Sequence, residues 1–384
     1  MRLEYLPFGK PNFSDEEVDA VSRVMRSGWI GMGPETIAFE RELADYLNMQ
    51  HVVTVNSCTS ALFLALQVCG IKEGDEVICP SLTWCSTANA ALYLNAKPVF
   101  CDIDTETLCI NVEDLLLRVT SKTKAIVVVH YGGLAIDVAY LRARLPEHIA
   151  IIEDAAHAFG SRYPDGQLVG TSGNLTCFSF YANKNLSTGE GGAIVTSDNA
   201  MTEKLQSLRQ HALPIDAWKR FTHPKSILMS NQLTELGYKM NYTDLQASIG
   251  RVQLARFDSM QQTRQQIAEF YFDGLQNIGI SFQRSCTNAS HAKHLFVIRL
   301  PLAEMRYDRD EMVLALRARN IGASIHYAPL HLMPLYHQGA KPESLPATEN
   351  LSKTIMTLPI SASMNQDDAS YVTDTIKELM EKQL

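Results

Sequence analysis

The chain has 384 residues, of which 46% are hydrophobic and 20% charged, and a formal net charge of −8. Single cores stop growing at about 250–300 residues, so one large lobe and one smaller lobe are expected. No apolar run approaches the ~20 residues that cross a bilayer, no basic and then apolar leader opens the chain, and no basic block offers itself to a nucleic-acid backbone, so the expectation is a cytoplasmic protein with neither membrane nor nucleic acid as partner.

From about residue 50 to 200, short β-rich runs alternate with helical patterns: HVVTVNS and TSALFLALQVCG, EVICPSL and STANAALYLN, then KPVFCDI, KAIVVVHYGG, IAIIEDAAHAF, LTCFSF and GGAIVTS. Such alternation predicts an α/β sheet, largely parallel and covered by helices on both faces, with ligands at the strand ends. The polar stretch 212–236 has little periodicity and reads as an active-site flap. After it, TDLQASIGRVQLARFDSMQQTRQQIAEFYFDGL keeps apolar residues at helical spacing over many turns. In the last third HLFVIRL and SIHYAPL read as strands, while DRDEMVLALRARN and DDASYVTDTIKELMEK read as helices, an α+β pattern. The expected division is 1–248 for the large domain and 249–384 for the small one. The eight cysteines form no CxxC pair and lie mostly in apolar runs, so reduced core thiols are expected rather than a metal site or disulfides.

Four segments carry the chemistry. In CFSFYANKNLSTGEGGAIV an apolar strand delivers Lys184 into a turn followed by Gly189, Glu190, Gly191 and Gly192, where glycines allow close backbone approach to a ligand. A lysine there can form a Schiff base if its pKa is lowered; taken alone, such a lysine is more often a solvated one. In IIEDAAHAFG a buried strand ends in Asp154 with His157 three positions on. A carboxylate is what keeps a pyridine nitrogen protonated, but Asp at a strand end also commonly caps a following helix, and His157 alone reads equally as a core histidine. NSCTSAL brings hydroxyls to a strand-to-helix turn, an anion site or simply a helix cap. PSLTW places Trp84 after a strand end, to stack on a flat ring or to fill the core.

In this order along the chain, NSCTSAL, PSLTW, EDAAH and SFYANKNLSTGEGG resemble the DegT/StrS type of nucleotide-sugar aminotransferase, within pyridoxal-phosphate (PLP) fold type I. The resemblance extends from PFGKPNFSDEEVD through GYKMNYTDLQASIG to the final helix. It implies a large domain with a mostly parallel seven-stranded sheet between helices, a smaller α+β C-terminal domain, pyridoxal 5'-phosphate as cofactor and a homodimer. It assigns Lys184 to covalent attachment and proton transfer, Asp154 to the pyridinium and Trp84 to the ring face. His157 falls near the 3-hydroxyl, Thr59, Ser60 and Ser179 at the phosphate, with Cys58 where the family often has Gly, and Asn241 matches a phosphate ligand donated by the neighbouring subunit. Glu190, His326 and Tyr327 fall in the sugar pocket. The implied reaction moves an amino group from an amino acid, L-glutamate, to a nucleotide-linked keto sugar of the 4-keto-6-deoxy kind, for polysaccharide, glycan or antibiotic sugar biosynthesis. The cyclitol and aminobenzoate branches stay open. A sugar dehydratase of this fold carries histidine in place of the lysine, and a nicotinamide-dependent oxidoreductase needs G-x-G-x-x-G after a strand, which this chain lacks.

Overall fold

Seven of the short apolar runs become the strands of one sheet. They are β1 (His51–Val55), β2 (Glu76–Pro80), β3 (Lys97–Cys101), β4 (Thr123–Val129), β5 (Ala150–Asp154), β6 (Leu175–Ser179) and β7 (Gly192–Thr196), in spatial order β1-β7-β6-β5-β4-β2-β3. The computed structural model describes residues 2–213, 217–222, 233, 235–285, 287–337, 339 and 341–383. β7 runs antiparallel to both its neighbours, β1 and β6, while β6-β5-β4-β2-β3 pair in parallel.

Successive strand side chains point to opposite faces, and here both faces are apolar. On β4, Ile126 and Val128 join one buried cluster with Phe39 and Phe178, while Ala125 and Val127 join another with Leu62 and Leu66. A sheet buried on both sides needs helices on both sides. Helix α1 (Asp15–Ser27) starts from a Ser14/Glu17 capping box, and α2 (Pro34–Leu47) brings Phe39 and Leu43 to the first face. Helix α3 (Cys58–Val68) brings Leu62 and Leu66 to the second. The same alternation puts Glu153 and Asp154, consecutive on β5, on opposite faces of the sheet.

A second, three-stranded antiparallel sheet holds β8 (Ser281–Phe282), β9 (Phe296–Arg299) and β10 (Ile355–Leu358) in the order β10-β9-β8. It packs with helices Phe257–Leu275, Arg309–Arg317 and Gln366–Gln383 in a third apolar cluster. The N-terminal stretch reaches this cluster: Leu6 is buried in it and pairs with Ile321. The long helical pattern after residue 243 is two helices, Asp244–Ala255 and Phe257–Leu275, separated at Arg256, whose guanidinium holds Glu17 and Asn12.

SIHYAPL is not a strand. Ser324 forms only an isolated bridge with Thr357. Beyond it the His326 carbonyl accepts the Tyr131 hydroxyl and His326 Nδ1 meets Thr357 Oγ1, so side chains take up groups that a strand ladder would use. Pro329 supplies no N–H to continue pairing. The flap expected at 212–236 falls largely on 214–216, 223–232 and 234, outside the described residues; of the remainder, Ala217–Thr222 is helical. No helix among the described residues is long and apolar enough to cross a membrane.

Candidate active site

The carboxyl ends of β1, β2, β4, β5 and β6 converge on one cavity of about 440 Å³. That is the place where open parallel sheets bind ligands, because the chain turns there from strand to loop and exposes backbone groups. Of the residues singled out in the sequence, Thr59, Trp84, Asp154, His157, Ser179, Lys184, Glu190, His326 and Tyr327 line it.

At one end lies the N-terminus of α3. Ser57 caps the helix, its hydroxyl accepting the Ser60 N–H at 3.1 Å. The opening N–H groups of a helix have no acceptor within it and carry its positive dipole end. Ser57, Thr59 and Ser179 are among the residues that line the cavity. Ser60 is buried and donates its hydroxyl to Asn56 Oδ1 at 2.7 Å, turned away from the cavity lining. Gly192 is required beside this turn, since a Cβ there would lie 2.7 Å from the Ser57 and Cys58 backbone.

Asp154 ends β5 and is 4% exposed. Its Oδ2 accepts the Thr87 hydroxyl at 2.8 Å and its Oδ1 the Ala156 N–H at 3.2 Å. Residues 155–160 form turns, not a helix, so Asp154 is no helix cap. Burial pushes its carboxyl above the ordinary range, and the two donors and Lys184 only partly oppose this. Among the described residues it has no ion-pair partner within 4 Å.

Lys184 follows β6 in the turn closed by the Lys184 N–H to Tyr181 carbonyl bond. Its Nζ lies 3.4 Å from His294 Nε2. Burial lowers its pKa to about 8, against the opposing pull of Cys58 and Asp154. His157 accepts the Gly132 N–H on Nδ1 at 3.3 Å, which leaves Nε2 to donate to the Tyr327 hydroxyl at 3.1 Å. Tyr327 in turn faces Trp84, ring centroids 5.8 Å apart; Trp84 is 60% exposed and forms an open wall. Glu190 is exposed at the rim.

Asn241 does not line this cavity. It sits in a separate surface hollow with Trp29, Ile30 and Lys239, its amide bonded to the Tyr242 carbonyl at 3.1 Å. The sequence reading passed over Ser57, Thr83, Thr87, Asn185 and His294. Ser57 was visible as the first hydroxyl of the NSCTS run. Thr87 and His294 reach Asp154 and Lys184 from 67 and 110 residues away, and nothing local to them signals it.

The lining fits PLP. Neutral hydroxyls and a helix N-terminus offer an anion site, Asp154 is a buried carboxylate with no ion-pair partner within 4 Å among the described residues, and Lys184, its pKa lowered, touches His294 and shares the lining with His157 and the exposed Trp84.

The DegT/DnrJ/EryC1/StrS aminotransferase family model matches residues 11–377. Spore coat polysaccharide biosynthesis protein SpsC of Bacillus subtilis is 40% identical, covering 99% of this chain and 98% of its own. The aminotransferase TlmJ of Streptoalloteichus hindustanus is 30% identical with a TM-score of 0.89, covering 98% of this chain and 99% of its own. The putative sugar aminotransferase Spr1654 of Streptococcus pneumoniae, in its PLP form, is likewise 30% identical with a TM-score of 0.89, covering 98% and 99%. The chain therefore belongs to the DegT/DnrJ/EryC1/StrS aminotransferase family and is a PLP-dependent sugar aminotransferase of fold type I.

Proposed function

We propose that the protein transfers the amino group of an amino acid, L-glutamate, to the keto carbon of a nucleotide-linked 4-keto-6-deoxy sugar, in a pathway that builds a polysaccharide or glycan. The observation that carries this reading is the placement of Lys184 and Asp154 in one cavity with open aromatic and polar walls. SpsC, named for spore coat polysaccharide biosynthesis, supports the pathway class, and PseC of Helicobacter pylori, 25% identical with a TM-score of 0.91, is described as an aminotransferase of pseudoaminic acid biosynthesis.

PLP, when bound, supplies the electron sink that makes a carbon next to nitrogen acidic. The chain does the rest. The α3 N-terminus with Ser57, Thr59 and Ser179 would hold the phosphate, and Asp154, short of donors, would keep a proton on the ring nitrogen. With its pKa near 8, Lys184 Nζ is partly neutral at working pH. It takes the proton from the α-carbon of the amino acid in one half-reaction and delivers one to the former keto carbon of the sugar in the other. His157 Nε2–H and the Tyr327 hydroxyl orient groups on the cavity's inner wall. Glu190 and His326, at the rim and the opposite wall, contact the sugar.

Asn241 faces its own chain's surface hollow, in keeping with donation to a partner's phosphate site in a homodimer. The charged pyridoxamine form, offered UDP-, dTDP- and GDP-linked 3-keto and 4-keto sugars and followed by mass spectrometry, should aminate a 4-keto-6-deoxy substrate. Amination of 3-keto sugars alone, or of none, overturns the substrate reading. Borohydride should fix the cofactor to the peptide containing Lys184; fixation elsewhere removes the site. Lys184→Ala and Asn241→Ala, each nearly inactive alone, should on subunit exchange regain up to roughly a quarter of wild-type activity, because random pairing gives half heterodimers with one complete site each. No recovery after verified exchange means Asn241 serves its own subunit.

A further inference from the structure

His294 lies just before β9, 3% exposed, with its imidazole tilted against that of His157, ring centroids 4.6 Å apart. One of its ring nitrogens faces Lys184 and the other faces Asn185. The Asn185 amide fixes the arrangement: its Nδ2 donates to the Ala292 carbonyl at 2.8 Å and to Gln261 Oε1 at 3.1 Å. Oδ1 is therefore the atom presented to His294 Nδ1, at 3.2 Å. A carbonyl oxygen only accepts, so Nδ1 carries the proton and Nε2 presents a lone pair to Lys184 Nζ at 3.4 Å. Gln261 holds the same Ala292 carbonyl at 2.9 Å, so the amide has support on both sides.

The groups facing His294 are Lys184, His157, Arg264 and His326, all of which oppose a positive charge on it; burial is the larger effect in the same direction. Lys184 faces Cys58 and Asp154 besides. A neutral acceptor has thus been built against the one lysine amine of the cavity, behind it rather than at the rim.

We propose that His294 is a positioning residue for the reaction: locked as the Nδ1–H tautomer by Asn185, it accepts an N–H of Lys184 and parks the ε-amine whenever that amine is not engaged with the cofactor. The inference rests on the assignment of Lys184 as the reactive amine. An ammonium is a stronger donor than an amine, so a neutral acceptor at Nε2 favours the charged form and limits how far burial depresses Lys184. A merely space-filling histidine would act with the opposite sign, since its removal would admit water and let the lysine rise toward its solvent value.

The test titrates Lys184 in the full-length chain freed of cofactor, by trace acetylation across pH and mass spectrometry of its peptide. Wild type should give a midpoint near 8. His294→Leu should lower it by roughly one pH unit, while His294→Gln, which keeps an acceptor oxygen on the side chain, should hold it near the wild-type value. A midpoint that stays put or rises in His294→Leu, or that falls as far in His294→Gln as in His294→Leu, overturns the proposal; if His294→Leu does not fold, His294→Phe takes its place. Borohydride fixation on Lys184 in wild type, run in parallel, separates failure of this inference from failure of the Lys184 assignment.

Discussion

Glu153 and Asp154 are consecutive on β5 and both are buried, at 0% and 4% exposure, yet the two faces of the sheet treat them differently. On one face Glu153 accepts from His130 Nε2 at 2.8 Å, the Tyr163 hydroxyl at 2.6 Å, the Asn174 amide at 2.9 Å and the Ser172 hydroxyl. Burial pushes its carboxyl up, but these donors, His130 foremost, bring it below the ordinary value. On the other face Asp154 has the Thr87 hydroxyl and one backbone N–H, and burial wins. A carboxylate with its lone pairs filled is finished as structure. One left short of donors at the wall of a cavity retains the capacity to bind something positive, which is what a pyridinium supplies. Perturbed groups mark sites for this reason, and here the adjacent residue serves as the control.

The largest effect that would break the comparison is on activity. Asp154→Asn should still take up PLP but transaminate roughly 10²–10³-fold more slowly, the scale of losing one preorganised electrostatic partner. It should leave the cofactor-free protein as stable as wild type or more so, since it removes an under-solvated charge. Transamination near wild-type rate, measured in single turnovers with L-glutamate, would make Asp154 as structural as Glu153.

Glu153→Gln should do the reverse. The four donors would face an amide that brings its own N–H groups, costing about 2–4 kcal/mol of stability, read by urea unfolding. Activity per folded molecule should change only a few-fold. Some leakage is expected because His130, which holds Glu153, precedes the loop whose Tyr131 and Gly132 touch His326 and His157. A loss of activity matching that of Asp154→Asn without loss of stability would erase the distinction between the faces.

Much of this was legible before the structure. The seven strands of the large sheet match the seven runs first read as strands, β4 alone starting one residue before its run, because a sheet buried on both faces writes itself as continuous apolar stretches between turns. Asp154 was legible for the same reason, since the topology sends strand ends to one edge; Lys184 was legible from its glycine-flanked turn after β6, and Ser179 only through the family resemblance. Three things were not. In NSCTS, one helical turn decides which hydroxyl residues line the cavity, and Ser57, which also caps α3, does so while Ser60 does not. SIHYAPL alternates like a strand, but beyond the single backbone bridge of Ser324 with Thr357 its partners are side chains from the loop after β4 and from β10, unrelated to periodicity. The difference between Glu153 and Asp154 depends on Tyr163, Ser172 and Thr87, and on which face each reaches, which a pair of acidic letters does not encode.

The smallest effect, and the finest test, is the pH dependence of stability in the cofactor-free protein. Glu153 has a folded pKa below its ordinary 4.5, so its contribution is fully present above about that pH and is lost as pH falls through the folded value. Asp154 has a folded pKa above its ordinary 3.8, so the folded state holds that proton more tightly than the unfolded chain, and stability drains as pH rises from about 3.8 through the folded value. The two slopes are opposite in sign, Glu153's lying below about pH 4.5 and Asp154's above about pH 3.8, each limited to about 1.4 kcal/mol per pH unit for one proton. Asp154→Asn removes the falling component, so its stability should climb more steeply with pH than that of wild type. Glu153→Gln removes the rising component, so its curve should flatten or decline below about pH 4.5. Parallel curves for the two variants, offset but equal in slope, would mean that the neighbouring carboxyls titrate alike and that the asymmetry of their donors has no thermodynamic consequence.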